Sequence, residues 1–97
     1  MLLSIDDLLI DEVNEAKMSR NKVTVTEAVE VIAGARYKLF RNPRSADAGA
    51  PLIVVGPTAG GRFITMPIDP TYTDGLYRPR TAYDSGKRQL DAYRARR

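Results

Sequence analysis

The 97-residue sequence contains no histidine, no cysteine and no tryptophan. Without cysteine and histidine, the chain has no thiolate or imidazole for zinc, no cysteine nucleophile, no Ser-His-Asp triad and no histidine base. No disulfide can hold the fold, which favours an intracellular, cytoplasmic setting. Any catalysis must therefore come from arginine, lysine, tyrosine or the carboxylates.

Long apolar runs are also missing, because no stretch approaches the ~18 residues of a membrane span. The first twelve residues contain no base and turn acidic at once, so a secretory signal is not expected. The length predicts one domain over residues 1–97. Hydrophobic residues at 43% and charged residues at 28% are typical of a soluble globular protein. We therefore expect one soluble domain with no membrane partner.

The net charge of +3 is unevenly distributed along the chain. Residues 1–35 hold seven acids against three bases, whereas residues 36–97 hold twelve bases, mostly arginine, against five acids. Arginine presents a planar fork of donors that suits bidentate phosphate contact. The basic half therefore indicates nucleic acid or an acidic protein as a partner, and the alternative is a solvated, charge-balanced surface.

Two segments of the first third have helical periodicity. Apolar residues recur at three- and four-residue steps over 5–18, which predicts an amphipathic helix with Asp6 and Asp7 in its first turn. Thr24 and Glu27 match a capping box that opens a second helix, and Gly34 fits the end of that helix.

From residue 36 onwards the apolar period changes to two. Strands are predicted over 36–41, 52–55, 62–68 and 76–83, with a hairpin over 52–68 and an edge or bulge at Pro79. Asp84 or Ser85 can cap a final helix that runs to about Ala95. The order predicts an α+β domain with two N-terminal helices, a four-stranded, mainly antiparallel sheet and a C-terminal helix. The helices are expected on one face of the sheet.

The densest polar cluster lies on the fourth predicted strand and the final helix. Alternation places Arg78 and Arg80 on one face of the strand, where they could hold one phosphate or two adjacent ones. The other bases expected to contact RNA are Arg62, Lys87, Arg88 and Arg94. Helix-stabilising or merely solvated charge is the competing interpretation. Tyrosines lie between these basic residues in the sequence, and such side chains suit either stacking on unpaired nucleobases or packing in the core. For Tyr83 both interpretations remain open.

Two other motifs predict no cofactor site. The turn GPTAGG lacks the Gly-Lys-Ser/Thr ending of a P-loop and joins two predicted strands, so a hairpin turn is expected. Asp69 and Asp74 flank a loop without the fixed spacing of a metal site. No metal and no cofactor are expected.

Three segments, 23–34, 51–70 and 77–93, resemble the BrnT-like toxins of bacterial toxin–antitoxin systems, in actinobacterial or phage variants. Their order is a Val-Thr helix start, two apolar strands around a glycine turn, an arginine-bearing strand and a basic helix. Residues 1–19 match this pattern least. The resemblance implies a fold related to the RelE ribonucleases. It also implies metal-independent cleavage of RNA by 2′-OH attack on phosphate, and a cognate antitoxin protein as partner.

By this resemblance Arg78 matches the strand arginine of the family, and Arg88 lies in the helix that supplies further polar site residues. The catalytic set expected here is Arg78, Arg80 and Tyr83, with Asp84 as a conceivable base. Three positions depart from the pattern: Asn21 replaces a histidine, Gln89 replaces a glutamate, and Tyr83 stands where an arginine often follows Ser-Ala. The alternatives are therefore a ribonuclease with a reduced catalytic set, or an inactive protein of the same fold, possibly phage-encoded, that binds and inhibits a host protein. Binding of nucleic acid without cleavage is a third.

Overall fold

The structure, a computed structural model, describes residues 4–43 and 50–96. These residues form helices and strands in an α+β arrangement. The helices are α1 (Glu12–Arg20), α2 (Val25–Ala33) and α3 (Lys87–Ala95). The strands are β1 (Asp7–Leu8), β2 (Lys38–Arg41), β3 (Leu52–Pro57), β4 (Phe63–Pro70), β5 (Leu76–Pro79) and β6 (Tyr83–Asp84). Most of the predicted loop over 42–50 lies outside the described residues.

The strands form one mixed sheet in the order β1-β5-β4-β3-β2, and β6 also pairs with β4. All pairs are antiparallel except the parallel pair of β1 and β5. The predicted α+β class is therefore confirmed, together with the antiparallel hairpin of β3 and β4. The predicted number of four strands is wrong, because β1 joins the sheet and the fourth predicted strand divides into β5 and β6.

The predicted first helix is wrong in its N-terminal half, since the helix begins at Glu12. The amides of Asp6 and Leu9 instead donate to carbonyls of the β5 region at 2.8 Å each, which holds the segment as an extended edge strand. Asp11 then starts α1, because its carboxylate accepts from the Asn14 amide at 2.8 Å while the Asn14 side chain accepts from the Asp11 amide at 2.9 Å. These two reciprocal hydrogen bonds set the start of the helix, although the apolar periodicity predicts a start at residue 5.

The second helix agrees with its prediction. The Thr24 hydroxyl accepts from the Glu27 amide at 3.1 Å, and the Glu27 carboxylate accepts from the Thr24 amide at 3.0 Å. The helix ends at Ala33, immediately before Gly34, as predicted. The left-handed residue is Ala35, with φ of 54°, whereas Gly34 keeps a right-handed helical conformation.

The fourth predicted strand is divided by a bulge after Pro79. The register pairs Pro79 with Ile68 and Tyr83 with Thr65. Residues 80–82 therefore face only two residues of β4, which is the count of a β-bulge. The prediction for Pro79 is confirmed as a bulge and not as an edge, because β5 lies between β1 and β4. Because of the extra residue, each later side chain of the predicted strand lies on the face of the sheet opposite to the predicted one.

Both faces of the sheet carry apolar side chains. On one face Val54, Ile64, Met66 and Ile68 form the core with Ala28 and Val31 of α2. On the other face α3 packs, with the Tyr93 ring edge-on to Phe63 at a centroid distance of 5.0 Å. The prediction that all helices share one face is wrong, because β3 and β4 are apolar on both sides and a sheet of that kind is covered on both.

None of the helices in the described part of the chain has the length and apolar character needed to cross a membrane.

Candidate functional site

An open depression of about 530 Å³ lies beside the bulge, between the sheet and the start of α3. We call it the Tyr83 pocket. Its polar lining consists of Asn42, Arg80, Thr81, Tyr83, Arg88 and Gln89. Its apolar lining consists of Pro43, Ala50, Ile53 and Pro67. The pocket thus combines two guanidinium groups and one phenol with an apolar floor, and no carboxylate is among these lining residues.

The bulge is what turns Tyr83 toward this pocket. Tyr83 pairs with Thr65, and alternation places it on the face opposite the Ile64 and Met66 side chains of the core. The ring is half-buried, and burial raises the pKa of the Tyr83 phenol. A phenol with a raised pKa stays protonated at neutral pH, so it can donate a proton or a hydrogen bond and is a poor base.

The two arginines of the pocket differ in what holds them. Arg80 Nε donates to Asp69 Oδ2 at 2.8 Å, in a partly exposed ion pair. Arg88 is exposed on the first turn of α3, and among the described residues its guanidinium has neither a hydrogen bond nor an ion pair. A guanidinium without a carboxylate partner can offer its whole donor fork to an incoming anion.

Arg78 lies outside the pocket. Its Nε donates to Asp11 Oδ2 at 2.9 Å and its Nη2 lies 2.8 Å from the same oxygen, an ion pair that joins β5 to the start of α1. The pKa of the Asp11 carboxyl is lowered, chiefly by the Asn14 amide and further by Arg78. The structure therefore brings Arg80 and Tyr83 of the expected catalytic set together and leaves Arg78 in a separate ion pair.

Arg62 also lies in a different place, between α2 and β6. Its Nη1 donates to Glu27 Oε2 at 2.9 Å and to the Lys22 carbonyl at 2.9 Å, and its Nε donates to Asp84 Oδ1 at 2.6 Å. These carboxylates raise the pKa of Arg62, with Asp84 as the larger cause. We refer to this group as the Arg62 clasp. Two acids neutralise this base, so it is a tie between elements and not an open cation.

Asp84 is a weak candidate for a base, since Arg62 lowers the pKa of its carboxyl. The pKa of Glu27 is also lowered, first by the Thr24 amide and then by Arg62. Of the other bases expected to contact RNA, Lys87 pairs with Asp91 at 3.3 Å along the helix. Arg94 is exposed on α3 and does not line the Tyr83 pocket.

Two of the three residues that depart from the BrnT-like pattern hold backbone groups next to the pocket. Asn21 Nδ2 donates to Thr81 Oγ1 and to the Ala82 carbonyl, both at 3.1 Å, and so fixes the bulge. Gln89 Oε1 accepts from the Gly86 amide at 2.7 Å at the start of α3. Each amide therefore has a positioning role in the structure, and neither can take up a proton.

Sequence reasoning missed the apolar floor and Asn42, whose Nδ2 donates to the Ala50 carbonyl at 2.8 Å. No local signal marks these residues, because strand pairing brings them together. Within residues 4–43 and 50–96, no group of three or more acids could hold a metal ion. No protein-family model matches the chain, and neither the curated proteins nor the solved structures include a significant match.

Proposed function

We propose that this protein binds single-stranded RNA, with one phosphate of the RNA held at the Tyr83 pocket between Arg80 and Arg88. The observation that carries the proposal is Arg88, a guanidinium without a partner among the described residues, in the same pocket as a half-buried phenol. Arginine is the side chain best shaped to contact two phosphate oxygens at once, and aromatic rings stack on unpaired bases. The basic second half of the chain adds a longer-range attraction for a polyanion.

We further propose that the bound RNA is cleaved slowly and without a metal ion, in the manner of the BrnT-like toxins that the sequence resembles. The ribose 2′-oxygen would form a bond to phosphorus, and the bond from phosphorus to the 5′-oxygen would break. Arg80 and Arg88 would stabilise the negative charge that develops on the phosphate oxygens. The protonated Tyr83 phenol would donate to the leaving 5′-oxygen, and the proton of the 2′-OH would pass to water.

The place of the Tyr83 phenol in the same pocket as Arg80 and Arg88 is what supports this second step. Burial raises the pKa of the phenol, so it carries its proton at neutral pH but releases that proton less readily than an ordinary tyrosine. The described lining of the pocket contains no carboxylate and no histidine to accept the first proton. The proposed step passes the 2′-OH proton to water, so we expect cleavage to be slow relative to binding.

Binding is tested with fluorescein-labelled single-stranded RNA at low salt in EDTA, by fluorescence anisotropy. Arg88→Gln is compared with Arg94→Gln, which removes the same charge from an exposed position of the same helix outside the pocket. We expect Arg88→Gln to weaken binding at least about ten-fold, the lower end of what a lost hydrogen bond to a charged group costs. Arg94→Gln is expected to lose much less. Equal losses of affinity in the two variants would contradict binding at the pocket, because the RNA would then be attracted only by the overall positive charge.

Cleavage is tested in the same buffer with end-labelled RNA and Tyr83→Phe beside the wild type. Products that end in a 2′,3′-cyclic phosphate, and that fall away in Tyr83→Phe while binding persists, support the proposed step. Binding without products limits the function to RNA binding. If the folded protein neither binds nor cleaves RNA, the remaining alternative is an inactive protein on this fold that binds an antitoxin-like or host protein.

A further inference from the structure

A second, smaller pocket adjoins the Tyr83 pocket between α3 and the outer face of the sheet. We call it the Phe40 pocket. Its volume is about 190 Å³, and its apolar walls are Phe40, Ile53, Val55 and Ala92. The pockets that hold drug-sized ligands measure roughly 300–1,000 Å³. The Phe40 pocket is therefore of a size for one ring system and not for a larger ligand.

The two pockets form one continuous surface. They share Pro43, Ile53, Arg88 and Gln89, so Arg88, whose guanidinium has no partner among the described residues, stands at the border between them. On one side of this border lie Arg80 and the half-buried Tyr83. On the other side the lining is apolar apart from Arg41. A ligand that spans both pockets must carry an anionic group and a flat apolar group a short distance apart.

The ring of Phe40 is held in place from one side. The Arg96 guanidinium carbon lies 3.9 Å from the centroid of that ring, and Arg96 also donates a hydrogen bond to the Leu39 carbonyl. A cation over one face of an aromatic ring fixes its plane at little cost. The part of the ring that lines the pocket is thus a preformed apolar wall and need not be ordered when a ligand binds.

From this arrangement we infer that the Phe40 pocket is a base subsite, which takes one nucleobase of the RNA strand whose phosphate lies at Arg88. This inference rests on the proposed function and names the part of the ligand that each pocket contacts. A nucleotide joins a flat heterocycle to an anionic phosphate through one ribose, which is the pair of groups that the two adjoining pockets require. Bases seated on apolar and aromatic surfaces give affinity with little sequence preference.

The test compares two labelled probes, an eight-residue oligoadenylate and an eight-residue ribose-phosphate chain that lacks its bases. Ala92→Phe fills the Phe40 pocket from α3, and Ala16→Phe makes the same change at an exposed position of α1 as a control. We expect the wild type and Ala16→Phe to prefer oligoadenylate at least about five-fold, the lower end of what stacking of one base contributes. In Ala92→Phe this preference should fall toward one while the affinity for the base-free chain is kept.

A second variant, Phe40→Leu, makes the wall smaller without filling the pocket and should also reduce the preference. Circular dichroism and thermal unfolding establish that each variant is folded. An unchanged preference in both folded pocket variants would overturn the base subsite, and so would a wild type that binds the two probes equally. RNA binding itself would then still stand. A wild type that binds neither probe would instead refute the proposed function, and the base subsite with it.

Discussion

Gly56 tests whether the packing of β3 against the rest of the fold is as tight as the structure indicates. A methyl group added at Gly56 would lie 2.7 Å from the Tyr37 Cα and 3.2 Å from a methyl of Val31. The first contact is with backbone and cannot be relieved by a rotamer change. Gly60, four residues further on, offers a matched control, because the nearest atom to its added methyl is the Thr58 hydroxyl at 3.9 Å.

The two Gly→Ala changes should therefore differ in sign. Overpacking of a core costs about 1–3 kcal/mol. Replacing glycine by alanine at a compatible position stabilises by about 0.4–1 kcal/mol, through the entropy of the unfolded chain. For Gly56→Ala the midpoints of these two ranges leave a net destabilisation of about 1.3 kcal/mol, whereas Gly60→Ala should be neutral or slightly stabilising. Each kcal/mol corresponds to about 4–8 °C in Tm for a domain of this size.

The assay is urea unfolding followed by circular dichroism, with thermal unfolding as a second probe. The urea midpoint of Gly56→Ala should fall while the slope of the transition is unchanged, which indicates a change in stability alone. A Gly56→Ala protein as stable as Gly60→Ala would contradict this prediction, because β3 would then have room to move away from Tyr37.

Three further predictions concern the caps, the Arg62 clasp and the pocket phenol. Thr24→Val removes the capping hydroxyl and should lower the free energy of unfolding in urea by about 0.5–2 kcal/mol, whereas Thr24→Ser should be close to wild type. The Thr24 amide and then Arg62 lower the pKa of Glu27, and Arg62 lowers the pKa of Asp84. The contribution of Arg62 to stability is therefore present above the unfolded-state pKa values of these acids and is lost as the pH falls through the folded-state values. The difference in urea midpoint between wild type and Arg62→Met should therefore be largest near neutral pH and shrink in acid, and a constant difference would contradict this account. Burial raises the pKa of the Tyr83 phenol in the folded protein. The contribution of the protonated phenol to stability is therefore complete below the ordinary tyrosine pKa of about 10, and it is lost as the pH rises through the folded-state pKa. In an alkaline titration followed by phenolate absorbance, a late-titrating component should be present in the wild type and absent in Tyr83→Phe.

The candidate site was predictable only in part. Arg80, Tyr83 and Arg88 could be singled out as a phenol and bases near one another in the chain, and the structure places them at one pocket. Nothing in the sequence sets Arg78 and Arg62 apart from these basic residues. In the structure, however, Arg78 is paired with one carboxylate and Arg62 with two, all from distant segments of the chain. Asp11 is 67 positions away from Arg78, and no local pattern joins the two.

One error of the sequence reasoning could have been avoided. Asp11 and Asn14 have the spacing of a capping pair, as Thr24 and Glu27 do, and they mark the true start of α1. The apolar period over 5–18 concealed this signal. Ile5 and Leu8 are indeed buried, but as parts of an extended segment beside β5. Over so short a stretch, a spacing of three residues between buried side chains does not distinguish a helix from an irregular extended segment.

Features that depend on neighbours a few residues apart could be predicted from the residue types alone. These are the capped helix α2, the hairpin of β3 and β4, the final helix α3 and the uneven charge. The strand β1, the bulge that turns Tyr83 to its pocket, the face on which α3 lies and the partner of each arginine depend instead on long-range packing. Caps and turns are formed by local hydrogen bonds, which the residue types specify directly. Strand pairing and ion pairs join residues that only the folded chain brings together, so their outcome depends on the whole packing arrangement.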